Sequence, residues 1–152
     1  MGIEIERKFL VVDNSYKDLE EGHMKIIQGY LSINPDSTIR IRISGNKAWL
    51  TVKSKNHGAQ RGEWEYEIPV NEAKEMLSMC CQSGIIDKTR HIVPANDGLK
   101  WEIDEFHGNY AGLVIAEIEL PSCNTEFEKP DFLGEEVTGN PKYYNSVLSK
   151  GI

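Results

Sequence analysis

The sequence predicts a mainly β protein of the α+β class, an eight-stranded antiparallel closed β-barrel with peripheral helices. Apolar and polar residues alternate with period two along most of the chain, which is typical of strands. Short turn signals, such as NPDS at 34–37 and SGN at 44–46, separate these runs. Strong alternation on every strand suits a closed barrel, since closure removes exposed sheet edges. The 152 residues are enough for a sizeable core, so we expect one domain over residues 1–152.

The elements follow from these signals in chain order. Strands are expected near residues 3–12, 26–33, 38–44, 47–55, 62–69, 86–93, 99–105 and 113–120. A helix is expected over residues 72–83, because Asn71 can cap its start and Gly84 can end it. Shorter helices are expected at 15–21 and at 142–150, where the sequence is KYYNSVLSK.

Composition excludes several classes of protein. The formal net charge of −7 argues against a nucleic-acid partner and against an anionic membrane surface. No run of about 18 apolar residues is present, and the N-terminal residues lack the apolar segment of a signal peptide. The three cysteines do not form a disulfide framework, and no cysteine or histidine group has the spacing of a zinc site. We therefore expect a reduced, cytoplasmic protein, and we assign no role to its histidines.

Charged residues recur two positions apart on seven of the expected strands. These sets are Glu4, Glu6 and Lys8; Arg40 and Arg42; Lys53 and Lys55; Arg61, Glu63, Glu65 and Glu67; Lys88 and Arg90; Glu102 and Asp104; and Glu117 and Glu119. Successive side chains of a strand point to opposite faces, so each set shares one face.

Two explanations fit a charged face. In an ordinary antiparallel sheet that face is solvated and carries cross-strand ion pairs. Here, however, the charges are sorted by sign, with carboxylates on some strands and Arg or Lys on others. That sorting favours a barrel whose lumen is charged and whose outer face is packed. The sequence alone does not decide which face is inside.

A charged lumen of this kind suits a particular ligand. Arg and Lys side chains in number favour a polyanion such as a chain of phosphates. The carboxylates would repel that polyanion unless a cation lay between them, and Mg²⁺ or Mn²⁺ binds both carboxylate and phosphate oxygens. No P-loop motif is present, so side chains would hold the phosphates. The pattern therefore predicts a metal–polyphosphate site.

The ordered motifs resemble those of a known family. EIERK at 4–8, IRIRI at 39–43, KTRH at 88–91 and LVIAEIEL at 113–120 are similar to the short bacterial members of the CYTH, or triphosphate tunnel metalloenzyme, family. The resemblance runs from Glu4 to about Asn145. It implies an eight-stranded antiparallel barrel that forms a tunnel, and hydrolysis of a triphosphate with Mg²⁺ or Mn²⁺.

The resemblance also implies roles for individual residues. The residues expected to bind the metal are Glu4, Glu6, Glu117 and Glu119. Glu102 and Asp104 would line the acidic side of the tunnel, where a second metal could bind. Binding of the triphosphate falls to Lys8, Arg40, Arg42, Lys53, Lys55, Lys88 and Arg90. The catalytic set comprises Glu4, Glu6, Lys8, Glu63, Glu65 and Asp104. Whether a second metal or a carboxylate activates the attacking water is left open.

The expected reaction is hydrolysis of inorganic tripolyphosphate to diphosphate and phosphate. The chain is short and has no evident extension to contact a base or a thiazole ring, which favours the inorganic substrate. The alternatives within the family are a thiamine triphosphatase, a nucleoside triphosphatase and an adenylyl cyclase. An alternative of another class is a non-catalytic module that binds polyphosphate or nucleotides. A homodimer paired through the outer walls is left open.

Overall fold

The computed structural model describes residues 2–81 and 84–151, and strands dominate it. The strands of this part of the chain are β1 (Gly2–Val11), β2 (Gly22–Ser32), β3 (Ser37–Ser44), β4 (Lys47–Ser54), β5 (Gln60–Ile68), β6 (Ile86–Pro94), β7 (Lys100–Phe106), β8 (Val114–Glu119) and β9 (Leu133–Glu136). They pair in the order β5-β4-β3-β2-β6-β7-β8-β1, every pair is antiparallel, and β5 also pairs with β1. The first eight strands therefore close into a barrel, as predicted.

Helices are short and lie outside the barrel wall or at its end. The α-helices are α1 (Val70–Met79) and α2 (Asn145–Leu148). The 3₁₀ turns are Ser15–Asp18, Asn96–Gly98, Gly108–Tyr110, Pro141–Tyr143 and Ser149–Gly151. Over the described ranges, no helix combines the length and the apolar character needed to cross a bilayer.

Three local predictions were wrong in detail. Helix α1 begins at Val70 after an extended Pro69, so Asn71 lies inside the first turn and does not cap it. It ends at Met79, earlier than expected, and Gln82 and Ser83 lie outside the described residues. The expected terminal helix is interrupted, because extended Tyr144 separates a 3₁₀ turn from α2.

The strand β9 was not predicted at all. It has four residues and, within the described ranges, pairs with the end of β1 alone, through an irregular register between Phe9 and Val11. Its sequence, LGEE, carries none of the period-two alternation that marks the barrel strands.

The main apolar core lies outside the barrel wall. Phe9, Trp101 and Ile118 point outward from β1, β7 and β8, on the faces opposite the charged sets. Tyr16 from the β1–β2 connection and Phe132 from the segment after β8 cover them, and all five side chains are buried. Helix α1 covers another part of the outer wall by packing Ala73 against Ile41 and Ala48.

Glycine permits a close approach of α1 and the residues after it to β2. A Cβ on Gly29 would lie 2.6 Å from the Cys81 Sγ and 3.0 Å from a Leu77 methyl group, so a larger residue would force these side chains to shift. Gly29 therefore allows the segment that ends α1 to pack directly on the outer face of β2.

The lumen face changes from charged to apolar toward one end. Leu10, Ile86, Phe106 and Ile115 each lie two residues from a charged lumen residue on the same strand, so they share its face. Leu148 of α2 packs against Ile86, Phe106 and Ile115. The C-terminal segment therefore covers the apolar end of the lumen, and the charged section lies beyond it.

Candidate active site in the barrel lumen

The charged section of the lumen encloses a cavity of about 200 Å³. Seven acidic and seven basic side chains line it: Glu4, Glu6, Glu63, Glu65, Glu102, Glu117, Glu119, Lys8, Arg40, Arg42, Lys53, Arg61, Lys88 and Arg90. Tyr30, Thr38, Tyr144, Asn145 and Ser146 complete the lining. The sorted charges thus face inward, and the alternative of a solvated outer face is excluded.

One cluster forms where β1, β4 and β5 meet. Lys53 Nζ donates to both carboxylate oxygens of Glu4 at 3.0 Å, and Arg61 Nε donates to Glu4 Oε1 at 3.2 Å. Burial opposes ionisation of Glu4, but Lys53 and Arg61 outweigh it and hold the pKa of this carboxyl well below its usual range. Lys53 also lies 3.4 Å from Glu63. Burial, and then the charge of Glu4, raise the pKa of Glu63.

A second cluster, on β1 and β8, is dominated by repulsion between carboxylates. Burial, Glu117 and Glu4 together raise the pKa of Glu6. Burial and the charges of Glu4 and Glu102 likewise raise the pKa of Glu119. Glu6 and Glu119 face each other in the β1–β8 register, and Lys8 and Glu117 form the next pair on the same face, two residues along each strand. Lys53 opposes the rise in both pKa values, but it does not outweigh burial and the neighbouring carboxylates.

A third cluster is fully paired. Arg90 donates from Nε and Nη2 to the two oxygens of Asp104 at 2.8 and 2.9 Å, and Lys88 Nζ lies 2.7 Å from Asp104 Oδ2. Arg90 also reaches Glu102 at 3.1 Å. Asp104 is buried and does not line the cavity. It therefore holds Lys88 and Arg90 in place from behind.

Lys88 is unusual among the basic residues. Its ammonium is buried and donates to Asn145 Oδ1 at 2.9 Å. Burial lowers the pKa of Lys88 to about 7, with Arg90 and Arg42 acting in the same direction and Asp104 opposing them. This amine therefore loses its proton more readily than an ordinary lysine does.

Arg42 is the least satisfied cation of the lumen. Its Nε donates to Gln28 Oε1 at 2.9 Å, and no carboxylate pairs with it among the described residues. Burial, followed by the neighbouring charges of Arg40 and Arg90, lowers the pKa of Arg42 to about 9. Arg40 is better compensated, at 3.6 Å from Glu65, although its buried Nε has no hydrogen-bond partner in the described chain. Both side chains keep donors available for an anion.

Most of the predicted site residues come together in this cavity. The exceptions are Asp104, which lies behind the lining, and Lys55, which is exposed just beyond the end of β4. Glu67 is exposed as well, whereas Arg61, on the same strand, lines the cavity.

Sequence reasoning missed the contribution of the C-terminal segment. Tyr144, Asn145 and Ser146 line the cavity, and Asn145 Oδ1 accepts hydrogen bonds from Gln28 and Lys88. No periodic signal marks these residues, because a short irregular segment has neither the helical nor the strand period.

The arrangement divides the lumen by charge. Carboxylates concentrate on β1, β5 and β8, and cations concentrate on β3, β4 and β6. An elongated polyanion can lie along the basic wall, and a divalent cation can lie between that polyanion and the carboxylates. These are the requirements for binding and cleaving a chain of phosphates.

Comparisons with known proteins agree with this geometry. The CYTH domain matches residues 2–150. An inorganic triphosphatase from Acetivibrio thermocellus is 49% identical over 150 residues, which cover 99% of this chain and 95% of that protein. An inorganic triphosphatase from Nitrosomonas europaea is 36% identical over 152 residues, covering 98% of each.

A solved structure shows the same fold. The crystal structure of the inorganic triphosphatase NE1496 superposes with a TM-score of 0.70 at 34% sequence identity, over 100% of this chain and 97% of that chain.

Proposed function

The chain belongs to the CYTH domain family, and from that premise we propose that it hydrolyses inorganic tripolyphosphate to diphosphate and phosphate in its lumen. The family consists of metal-dependent enzymes. The observation that carries the proposal is the cavity lined by seven bases and seven acids, in which a wall of Arg and Lys on β3, β4 and β6 faces a mainly acidic wall. A site that only bound anions would gain nothing from carboxylates that repel one another.

We propose that the basic wall holds the substrate. Arg42 and Arg40 have free donors, and a phosphate oxygen would supply the acceptors that they lack. The remaining cations that we assign to substrate binding are Lys8, Lys53, Lys88 and Arg90. Asp104 contacts Lys88 and Arg90 from the side away from the cavity, and both of its carboxylate oxygens accept hydrogen bonds from these cations. We therefore assign Asp104 a positioning role and not metal binding.

The acidic wall fits a divalent cation. Burial and neighbouring carboxylates raise the pKa values of Glu6 and Glu119, and a cation between these carboxylates would offset both effects. We propose Mg²⁺ or Mn²⁺, held by Glu4, Glu6, Glu117 and Glu119 with Glu102 nearby, since both ions prefer oxygen ligands. Such an ion neutralises phosphate charge and acts as a Lewis acid.

Hydrolysis at the terminal phosphate then depends on how the substrate is positioned and on how its negative charge is stabilised. The bound chain is held extended, and the cations of the wall stabilise charge that develops on the transferred group. Glu63 lines the cavity, and its raised pKa makes it a better proton acceptor than an ordinary carboxylate. We therefore propose Glu63 as the group that accepts a proton from the attacking water.

The test is phosphate release from tripolyphosphate, thiamine triphosphate and ATP, each with Mg²⁺, with Mn²⁺ and with EDTA. We expect rapid, metal-dependent release from tripolyphosphate and much slower release from the organic triphosphates. A protein that forms cyclic AMP from ATP but leaves tripolyphosphate intact would contradict the proposal, and so would tight binding of tripolyphosphate without turnover.

A matched pair of variants on β4 ties the activity to the lumen. Lys53 lines the cavity, whereas Lys47 on the same strand is exposed. We expect Lys53→Ala to lower kcat/KM for tripolyphosphate at least tenfold and Lys47→Ala to leave it unchanged.

A further inference from the structure

A second group of metal-ligand side chains lies on the outer face of the barrel. His23 on β2 and His91 on β6 are direct cross-strand partners, and both belong to the faces opposite the lumen. Glu20, from the connection before β2, reaches both rings with its carboxylate. Glu20 Oε1 lies 2.9 Å from His23 Nδ1, and Glu20 Oε2 contacts His91 Nδ1.

His91 is the buried member of this group. Its ring is buried, packs edge-on against Tyr16 and lies 5.5 Å from the His23 ring. Its Nε2 has no hydrogen-bond partner within the described residues, but Glu105 Oε1 lies 3.5 Å away. If Nδ1 bound a metal ion in place of its contact with Glu20, Nε2 would carry the ring proton, and Glu105 lies where it could accept a hydrogen bond from Nε2.

We propose that Glu20, His23 and His91 form a binding site for a borderline divalent cation such as Zn²⁺, distinct from the site in the lumen. Two imidazole nitrogens and one carboxylate are a donor set that zinc accepts and that Mg²⁺ does not favour. Glu105 behind His91 completes the carboxylate–histidine arrangement that fixes the tautomer of a metal-bound imidazole. Water would occupy the fourth position.

Such an ion would fit after small movements of the side chains. The three donor atoms lie within 4.8 Å of one another. Bonds of about 2.0–2.2 Å to a tetrahedral zinc ion place its ligand atoms about 3.3–3.6 Å apart. The Glu20 oxygens would therefore move slightly away from the two Nδ1 atoms that they contact. The His23 side chain is 60% exposed, so it can turn toward the ion without disturbing packed residues.

The ion would join two parts of the chain that the sequence keeps apart, because Glu20 and His23 are three residues from each other and His91 is far from both. Glu20 follows the 3₁₀ turn Ser15–Asp18, His23 begins β2, and His91 lies near the end of β6. Because the unfolded chain does not hold these residues together, binding should stabilise the folded protein. Spacing rules along the sequence do not detect a site that is assembled across a sheet.

The experiment is titration of the complete protein with Zn²⁺ in saturating Mg²⁺, followed by the ring nitrogen signals of its histidines in NMR. We expect one equivalent of Zn²⁺ to shift the signals of His23 and His91 and to leave those of His57 and His107 in place. Mg²⁺ alone should shift none of the four. Unchanged signals of His23 and His91 would overturn the proposal.

Two variants extend the test without disturbing the core. His23 and His57 are both exposed, so His23→Ala and His57→Ala should fold normally. We expect Zn²⁺ to raise the Tm of the parent and of His57→Ala by several degrees, and to raise that of His23→Ala by much less. An equal rise in all three proteins would place the zinc elsewhere, for example on the carboxylates of the lumen, and would refute the proposed site.

Discussion

At the scale of single residues, the lumen contains charges that the protein already pairs and charges that it leaves for a ligand. Arg90 belongs to the first kind, because Asp104 and Glu102 occupy its guanidinium. Arg42 belongs to the second, because its side-chain hydrogen bond within the described residues goes to the neutral oxygen of Gln28. The cost of burying an uncompensated charge falls when an anion binds, so residues of the second kind should contribute most to affinity.

Replacement of Arg42 tests this distinction. We expect Arg42→Ala to reduce kcat/KM for tripolyphosphate by about ten- to a hundredfold, which corresponds to about 1.5–3 kcal/mol for hydrogen bonds to a charged group. Arg40→Ala should act in the same direction. Steady-state kinetics give both values, with the exposed Lys47→Ala as control. If Arg40→Ala and Arg42→Ala both behaved as the parent does, the lumen would not be the site.

Two glutamates of the acidic wall should respond oppositely to loss of their charge. Burial, Glu117 and Glu4 raise the pKa of Glu6, so its charge opposes folding. Burial also opposes ionisation of Glu117, but Lys8 at 3.5 Å and two further cations outweigh it and lower its pKa. In EDTA at pH 8, we expect Glu6→Gln to match or exceed the Tm of the parent.

Glu117→Gln serves as the matched comparison, and its Tm should fall by several degrees, because about 1 kcal/mol corresponds to about 2–4 °C in a chain of this size. Both variants should lose turnover, since we assign both residues to the cation. Thermal unfolding followed by circular dichroism gives the Tm values. A Tm that falls equally in the two variants would contradict the unequal charge environments.

At the scale of elements, period-two alternation was enough to predict all eight barrel strands to within a few residues. It succeeded because each strand separates an apolar outer wall from a charged lumen, as Ile41 and Arg42 do on β3. It failed for β9, which is short and borders solvent, and for the C-terminal segment, whose place over the lumen depends on tertiary contacts such as Leu148 with Phe106. The sequence also did not predict which charged residues form ion pairs with each other, because the cross-strand register decides these pairs.

Strand β9 offers a prediction about pH. Arg7 on β1 donates to both oxygens of Glu136 on β9, at 2.8 and 2.6 Å. These hydrogen bonds lower the pKa of Glu136. A lowered carboxyl pKa stabilises the fold above the ordinary carboxyl pKa, and that stability is lost as the pH falls through the folded value.

We therefore expect Glu136→Gln to reduce the free energy of unfolding by about 0.5–1 kcal/mol at pH 7, as for a partly exposed ion pair. The difference from the parent should vanish as the pH is lowered below the ordinary carboxyl range. Urea unfolding at several pH values measures it. Glu135→Gln, at the exposed neighbouring position, should be neutral throughout, and a deficit of Glu136→Gln that persisted at low pH would disprove the assignment to charge.

At the scale of the whole molecule, the net charge of the lumen differs from that of the rest of the protein. The seven acids and seven bases of the cavity cancel, so the formal net charge of −7 belongs to the rest of the chain. Inside the lumen, most of the acids lie on one wall and most of the bases on the other, and only some of them form ion pairs. The protein therefore leaves carboxylates available for a cation on one wall and cationic side chains available for an anion on the other.

This division predicts that the two ligands stabilise the fold through different residues. A ligand that binds only the folded state at about 100 times its Kd adds about 2.7 kcal/mol, or a Tm rise of about 5–10 °C here. We expect Mg²⁺ alone to raise the Tm and tripolyphosphate in EDTA to raise it as well, with orthophosphate much less effective. Glu6→Gln should remove the response to Mg²⁺ and retain that to tripolyphosphate, whereas Arg42→Ala should do the reverse.

The crossed pattern is informative because a merely damaged fold would weaken both responses together. Differential scanning fluorimetry of the parent and both variants, with each ligand separately, measures all of the required Tm values. If each variant kept both responses, the ligands would bind outside the lumen. If each lost both, the two walls would act as one site whose cation and anion cannot bind independently, and the separation of charges seen in the cavity would have no functional counterpart.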